Sequence, residues 1–323
     1  MKQKIPRREF IGTGLVAALF AGCDRQERAK KPPLDERFTY DISKYEHTDP
    51  ALLLYDEKTR FATGFNEPKC IAVSGDNILV GGDKALKTFD TTGKLLATRE
   101  LPALPHAVTA GGRVAFKDRF EGSESFGDRA HLTAIAQTSD TIYVADAGNR
   151  EVIRCSADGK VVSRFGKVGA KDGTPGFVVP SPYFDLSVGP EGVLWVVNPG
   201  KHRVEAYTLD GKYETGWGAT AMNVEGFCGC CNPVYFTRLP DGRFVTSEKG
   251  LNRVKVYDVT GKFECVVAGP EQLIKDRELA RKACRDCQVG FGMPVAADAR
   301  GRVIVLDPST RDVRIFERKE KKA

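Results

Sequence analysis

The stretch "LTAIAQTSDTIYVADAGNREVIRCSADGKVVSRFG", residues 132–166, decides the fold. It contains four short runs rich in apolar and β-branched residues, and polar or glycine-containing turns separate each run from the next. Such runs are typical of β-strands, and Gly159 lies between the third and fourth runs, where a tight hairpin turn needs a positive φ. The stretch therefore predicts a small antiparallel sheet of four strands.

The same arrangement recurs along the chain. Three further copies, each with its own turn glycine, span residues 68–101, 184–218 and 234–269. A fifth copy, residues 293–319, ends after its third run, and "KTRFATGF" at 58–65 looks like the missing fourth strand. Four strands per repeat at this length predict the blades of a β-propeller. Pairing of the two ends would close the ring and leave no open sheet edge.

The spacing of the turn glycines predicts a sixth blade. Gly93 and Gly159 lie 66 residues apart, whereas Gly211 and Gly261 follow at intervals of 52 and 50. Because one copy takes about 35 residues, the first interval has room for two, and residues 105–121 have the first two strands of a shortened blade. The sequence thus predicts an all-β, six-bladed β-propeller, closed by an N-terminal strand that completes the last blade.

Residues 1–23 read as a signal peptide for export. A basic segment precedes the uncharged run 11–22, which is far shorter than the ~20 apolar residues of a membrane-spanning helix. Arg7 and Arg8, followed by Glu-Phe-Ile, resemble the twin-arginine signal, which exports folded proteins, often with a cofactor inserted. The alternative is an ordinary basic export signal.

The end of this segment resembles a lipoprotein cleavage box. In "FAGC", Cys23 would become the acylated first residue, and Asp24 resembles the signal that keeps such proteins on the inner membrane. Lipidation would anchor the protein without a spanning helix, since each buried methylene contributes ~0.8 kcal/mol. We expect a lipid-anchored protein on the periplasmic side of the inner membrane, with simple secretion as the alternative. Residues 24–50 then form a charged tether, 51–319 the propeller and 320–323 a basic tail.

Composition argues against nucleic acid as a partner. The formal net charge of +6 falls to +3 once residues 1–23, with four basic residues and one acidic residue, are removed. This excess is too small to predict binding to a phosphate backbone. We expect a periplasmic protein or a small ligand as the partner, together with the membrane through the lipid anchor.

The blades resemble a known repeat. Residues 142–166 resemble an NHL repeat, whose pattern is a strand, Ala-Asp-x-x-Asn-x-Arg, a strand, Asp-Gly-x, a strand and Phe-Gly. The stretches 194–218 and 244–269 are weaker matches, and the resemblance covers residues 58–319. It implies a propeller but no particular function, because NHL propellers serve as protein-binding, RNA-binding and enzyme scaffolds. The loop "EGFCGCCNP", with the export signal, also resembles a group of exported bacterial propellers.

Two cysteine clusters lie in long insertions that join an outer strand to the next inner strand. Such connections emerge on one face of a propeller, so the insertions 167–183, 219–233 and 270–292 are expected on the same face. The second insertion carries three cysteines and the third carries two: Cys228, Cys230, Cys231, Cys284 and Cys287. We expect the two clusters to meet near the inner ends of neighbouring blades.

Three kinds of chemistry fit these five thiols. Four short-spaced sulfurs suit zinc or an iron–sulfur cluster, although Cys230 and Cys231 are adjacent and would seldom both ligate one metal. Disulfides would staple the insertions in an oxidising compartment. A thiol redox role is the third possibility. Cys70, Cys155 and Cys265 lie in strands and are expected to be buried structural residues.

Polar residues also recur in the connections between second and third strands, on the same predicted face. They are Asp83, Lys117, Asp118, Asp146, Asn149, Asn198, His202, Glu248, Lys249 and Asp307. Carboxylate and amide oxygens that converge near the axis could bind calcium. Such an arrangement resembles the calcium-type site of six-bladed lactonases. The alternative is that these side chains cap backbone groups of the turns.

Two functions follow from these readings. The first is a binding or scaffold propeller whose cysteine-rich face holds zinc or an iron–sulfur centre, or is stapled. The second is a metal-dependent hydrolase or lyase, lactonase-like, that uses the acidic ring at the propeller axis. The four histidines are scattered, so they indicate no catalytic triad. The first function is favoured because cysteine is the unusual feature of the sequence.

Overall fold

The computed structural model describes residues 43–170, 173–274 and 291–320. These residues belong to a unit that spans Ile42–Ala323. The helices in the described part are short: α1 (Ser43–Glu46), α2 (Pro270–Leu273) and the 3-10 turns Pro50–Leu52 and Pro199–Lys201. None of the helices in these ranges is long and apolar enough to cross a membrane.

Antiparallel strands make up the rest of the fold. The first strand is β1 (Tyr55–Ala62). The first blade consists of β2 (Pro68–Ser74), β3 (Asn77–Gly82), β4 (Ala85–Phe89) and β5 (Leu95–Glu100). A two-stranded ribbon follows, made of β6 (Ala107–Val108) and β7 (Val114–Ala115). The second blade consists of β8 (Leu132–Gln137), β9 (Thr141–Asp146), β10 (Glu151–Ser156) and β11 (Val161–Phe165).

Three more blades complete the sheet topology. The third contains β12 (Leu186–Val188), β13 (Val193–Asn198), β14 (Arg203–Thr208) and β15 (Tyr213–Trp217). The fourth contains β16 (Tyr235–Arg238), β17 (Phe244–Ser247), β18 (Val254–Tyr257) and β19 (Phe263–Ala268). The fifth contains β20 (Val295–Ala297), β21 (Val303–Asp307) and β22 (Asp312–Arg318).

The outer strand of the fifth blade is β1. It pairs antiparallel with β22, from Tyr55 opposite Arg318 to Ala62 opposite Asp312. The sheet order is therefore β1-β22-β21-β20, so a strand from the amino-terminal side supplies the fourth member of the last blade. The strand begins and ends three residues earlier than the stretch 58–65 that the sequence indicated.

The prediction of six blades is wrong, because the described residues form five four-stranded blades. Between the first and second blades, where the sixth was predicted, lies the ribbon β6–β7, whose inner strand β6 packs between β2 and β8. Residues 121–131, "EGSESFGDRAH", are rich in glycine, serine and charged residues, so they offer no apolar runs for third and fourth strands. Spacing alone cannot distinguish a blade from an insertion of equal length.

The inner strands surround a channel of about 250 Å³ along the axis. Its wall is formed by β2, β6, β8, β12, β16 and β20, so the ribbon takes a place in the ring although it lacks outer strands.

The turn glycines position each blade against its neighbour. Gly211 and Gly261 have φ of +90° and +85°, and a Cβ on either would lie within 3 Å of Phe165 or Trp217. These rings belong to the outer strand of the preceding blade, where they join the apolar clusters between blades. Cys70, Cys155 and Cys265 are buried in strands, as predicted.

Candidate functional site

The cysteine loop, residues 219–233, joins β15 to β16 and is held by polar contacts at both ends. The His202 ring contacts Thr220 Oγ1 through Nδ1 at 2.6 Å and Gly229 O through Nε2 at 2.9 Å. Because a carbonyl oxygen only accepts, Nε2 is the donor in its contact with Gly229 O. The Asn232 amide donates to Cys228 O at 2.7 Å and to Lys249 O at 3.1 Å. The loop therefore has one fixed backbone path.

A buried ion cluster lies beneath this loop. Glu248, Arg253 and Lys255 are at most 3% exposed in their side chains. Arg253 donates to both Glu248 oxygens at 3.1 and 3.0 Å, and Lys255 Nζ lies 2.7 Å from Glu248 Oε1. Burial would raise the pKa of Glu248, but the Lys255 and Arg253 charges hold it below its ordinary value. The carboxylate is therefore ionised in the core.

The cluster binds the loop backbone directly. Glu248 Oε2 accepts from Cys228 N at 3.2 Å. Lys255 Nζ donates to Val224 O at 3.0 Å and to Gly226 O at 2.6 Å, and it lies 4.7 Å from the Phe227 ring centroid. Burial lowers the pKa of Lys255 to about 8, although Glu248 opposes this shift. The ion cluster therefore holds the cysteine loop in place by hydrogen bonds to the loop backbone.

The cysteine loop carries a thiol pair, the adjacent residues Cys230 and Cys231. The two Sγ atoms are 3.3 Å apart. Cys230 is exposed, whereas Cys231 is 1% exposed and its Sγ lies 3.2 Å from Ser181 Oγ. Lys249 Nζ donates to the same hydroxyl at 3.2 Å. The two adjacent cysteines thus differ sharply in access and in surroundings.

The surroundings shift the two thiols in opposite directions. Burial would raise the pKa of Cys231, but hydrogen bonds with Ser181, Lys249 and Cys230, and the Lys249 charge, place it below its ordinary value. The hydrogen bond with Cys231 raises the pKa of Cys230. The thiolate of the pair is therefore favoured on the buried sulfur.

Cys228 does not join the pair. Its side chain is buried, and burial, with the nearby Glu248 charge, raises the pKa of its thiol to about 11. The six cysteines within the described ranges form no disulfide in this structure. Cys284 and Cys287 lie outside the described residues, so their meeting with this loop stays a prediction. The signal residues Arg7, Arg8 and Cys23 also lie outside them.

The predicted axial ring is distributed around the blades rather than along the channel wall. The residues that end the second strands bind backbone N–H groups of the connection leading into their own blade. Asp83 accepts from Glu67 N at 2.8 Å, Asp146 from His131 N at 2.9 Å and Asn198 from Val178 N at 2.9 Å. Glu248 does the same with Cys228. This capping role is the structural alternative that the sequence left open.

Three other ring residues, Asn149, Asp118 and Asp307, also have local partners. Asn149 Nδ2 donates to Asp146 Oδ2 at 2.7 Å, and Asp118 pairs with Arg119 at 3.0 Å. Asp307 Oδ1 accepts from Ser309 N at 2.9 Å, while its Oδ2 lies 3.5 Å from Arg314 Nη1. In the described part of the chain no three His, Cys, Asp or Glu side chains are grouped as a metal site would require. Calcium binding by these residues stays a prediction.

Asp146→Ala is expected to lower the free energy of unfolding by about 1–3 kcal/mol, because it removes a buried carboxylate and leaves the part-buried N–H groups of His131 and Asn149 without an acceptor. Asp76→Ala is the matched control, since the Asp76 side chain is 81% exposed and should change stability by less than about 0.5 kcal/mol. Urea denaturation of both variants measures the difference. Equal losses would contradict the capping role.

Sequence reasoning missed two residues. Ser181 lies in the insertion before β12, 50 residues from Cys231, and nothing in its neighbourhood marks it as a thiol partner. Asp185 lies in the channel wall and accepts from Leu186 N and Phe236 N, each at 2.9 Å. Burial raises the pKa of Asp185 to about 7. Its position at the start of an inner strand gives no separate signal in the sequence.

Solved structures with a similar fold include proteins of different function. A streptogramin B lyase is 13% identical with a TM-score of 0.53, over 84% of this chain and all of that one. The WD40 β-propeller domain of Doa1 is 11% identical with a TM-score of 0.51, over 83% of this chain and 98% of that one. A structural genomics protein of unknown function from Bacteroides thetaiotaomicron is 13% identical with a TM-score of 0.53, over 81% and 75%.

These likenesses show that the chain has a β-propeller fold. No family model matches the sequence, and no curated protein sequence matches it. Membership of the NHL family therefore stays an expectation from the repeat motifs.

Proposed function

We propose that this protein is an exported NHL-type propeller that binds a periplasmic protein or a small ligand at its cysteine loop. A lipid on Cys23 would hold it at the periplasmic side of the inner membrane, with residues 24–50 as the tether. The observation that supports the proposal is the exposed Cys230. It lies on a loop whose backbone is hydrogen-bonded to a buried ion cluster.

The energetics of that cluster support a binding role. Replacing a buried ion pair by apolar residues of similar volume is often neutral or stabilising, so burying Glu248, Arg253 and Lys255 is a poor way to gain stability alone. Their contacts to four backbone groups of the loop, including Cys228 N and Gly226 O, instead fix its shape. A preformed surface binds with a smaller entropy cost than one that orders on contact.

In one form of this proposal, the ligand at the cysteine loop is zinc or an iron–sulfur cluster. Cys230 and Cys231 fit part of such a site, because one of the two adjacent thiols has a lowered pKa, as a thiolate ligand requires. Cys228 has a raised pKa and interacts with Glu248 instead. A four-sulfur centre would therefore depend on Cys284 and Cys287. Metal analysis of protein purified without air tests this form: stoichiometric zinc or iron supports it.

The alternative of a metal-dependent hydrolase or lyase receives less support. It needs carboxylates free to bind a cation near the axis, whereas Asp83, Asp146 and Glu248 accept hydrogen bonds from loop backbone. Substitution at these positions would also disturb the loops that they cap.

Labelling of Cys230 tests the binding proposal. In cells, a membrane-impermeant maleimide should label Cys230 about tenfold more slowly than in purified protein, the protection expected from a ligand at about ten times its Kd. The control is Ser139→Cys, an exposed position in the β8–β9 turn, which should react at the same rate in both settings. Equal rates for Cys230 in cells and in purified protein would contradict the proposal, and absence of labelling of both positions would contradict export.

A further inference from the structure

We infer that Cys230 and Cys231 form a redox-active vicinal pair that exchanges electrons with a dithiol substrate. This inference rests on the proposed function in its metal-free form, and it specifies the ligand class of the same loop. The two Sγ atoms are already 3.3 Å apart, and a disulfide needs them at about 2 Å. A disulfide between adjacent residues also closes an eight-membered ring, because their Cα atoms lie only about 3.8 Å apart. This is closer than the roughly 4.4–6.8 Å usual for a disulfide, so the oxidised pair is strained and easily reduced.

The difference in access assigns the two sulfurs distinct roles. Cys230 is exposed, so an incoming thiolate can attack its Sγ. Cys231 is 1% exposed, so an incoming thiolate has little access to its Sγ. Attack on the oxidised pair therefore occurs at Cys230, and Cys231 is the sulfur that leaves.

Two side chains stabilise that leaving group. Ser181 Oγ lies 3.2 Å from Cys231 Sγ, where its hydroxyl can donate to the thiolate. Lys249 Nζ donates to the same Oγ at 3.2 Å, so its charge lies just behind the hydroxyl. Lys249 is only 4% exposed, which limits the screening of this charge by water. A thiolate stabilised by such a hydroxyl and such a charge leaves more readily in disulfide exchange.

Lys249 is itself fixed in position. Its backbone N donates to Asn232 Oδ1 at 2.9 Å, and its Nζ lies 5.2 Å from the centroid of the Tyr183 ring. Asn232 also holds the carbonyl of Cys228, so one amide side chain connects the lysine to the loop that carries the pair. Lys249 and Ser181 are therefore positioning residues for the reaction at Cys230 and Cys231.

The reaction balances as a two-electron exchange. A substrate thiolate attacks Cys230 Sγ, the Cys230–Cys231 bond breaks, and Cys231 leaves as a thiolate. The second substrate thiol loses its proton to solvent and attacks its partner sulfur in the mixed disulfide. Cys230 then leaves and takes a proton. The substrate dithiol has become a disulfide and the pair has been reduced; a disulfide on a second exported protein restores it by the reverse steps.

Glutathione is the probe for a test on the full chain. The reduced protein is incubated in buffers of varied reduced and oxidised glutathione, quenched with acid and mapped by mass spectrometry. We expect a reversible disulfide between Cys230 and Cys231. A disulfide from Cys230 to Cys284 or Cys287, stoichiometric metal that blocks oxidation, or no oxidation of the pair would each overturn the inference.

Single substitutions separate the two roles. Cys231→Ser should accumulate a glutathione adduct on Cys230, because no second thiol resolves it, whereas Cys230→Ser should form no adduct on the buried Cys231. Cys228→Ser is the matched control in the same loop and should still form the Cys230–Cys231 disulfide. Equal adduct formation in Cys230→Ser and Cys231→Ser would contradict the assignment.

Lys249 gives a readout that a purely structural role would not change. Lys249→Met should raise the pH at which thiolate absorbance appears and slow reduction of the pair by dithiothreitol. Lys249→Arg should restore most of the rate. An unchanged titration in a folded Lys249→Met protein would contradict the positioning role. Slow labelling of Cys230 in cells without a reversible disulfide would refute this inference and leave the proposed function intact.

Discussion

Glu248→Gln will lower the free energy of unfolding by about 3–5 kcal/mol, the loss expected when one partner of a buried ion cluster is removed. The substitution leaves Arg253 and Lys255 charged and almost fully buried, with no carboxylate to balance them. It also weakens the contact to Cys228 N, because one acceptor oxygen is replaced by an amide group. Urea denaturation, followed by tryptophan fluorescence, measures the loss.

The same variant has a local consequence. Because the ion cluster holds the cysteine loop, Glu248→Gln should expose Cys231 and increase its rate of maleimide labelling. The control is Glu67→Gln, whose carboxylate is 57% exposed and lies 2.7 Å from Lys69. An exposed pair of this kind contributes at most about 1 kcal/mol. Similar losses in the two variants would contradict the structural role of the buried cluster.

The blades could be predicted from the sequence because each is local. A blade forms from four neighbouring runs and three short turns, so its signals lie within about 35 residues, as in 132–166. The spacing of the turn glycines predicts a blade in place of the ribbon β6–β7, because it shows how many residues lie between two turns and not how they pair. Only the absence of apolar runs in 121–131 distinguishes the two cases.

The position of the cysteine loop in the fold could be predicted from the sequence, but its contacts could not. The positions of the insertions put the cysteine loop on the propeller face that also carries the connections between second and third strands, and its contacts with His202 and Lys249 agree with that. The separation of Cys228 from Cys231 depends on Glu248 and on Ser181, which lies in another insertion. A pattern of neighbouring residues in the sequence cannot predict contacts between residues that lie far apart in the chain. The carboxylates of the predicted axial ring recur at equivalent positions of the repeats whether they bind a cation or accept from a backbone N–H group. Their positions in the sequence therefore do not distinguish the two roles.

Gly261→Ala will lower the free energy of unfolding by about 2–5 kcal/mol, from two separate causes. Gly261 has φ of +85°, and an alanine in this region costs about 1–2 kcal/mol. The new Cβ would also lie 2.2 Å from Trp217 Cγ, far inside contact distance. Forcing apart such a contact costs typically about 1–3 kcal/mol.

The Trp217 ring cannot move easily, because it packs against other aromatic groups. Its centroid lies 5.0 Å from that of Phe244 and 4.8 Å from that of Tyr257. Gly301→Ala isolates the backbone cause, since Gly301 has φ of +76° and a Cβ there would meet no atom within 4 Å. Thermal denaturation of the two variants should therefore show a larger loss for Gly261→Ala than for Gly301→Ala. Equal losses would mean that the turn glycine serves only the hairpin, and that contact between its turn and the preceding blade adds nothing to propeller stability.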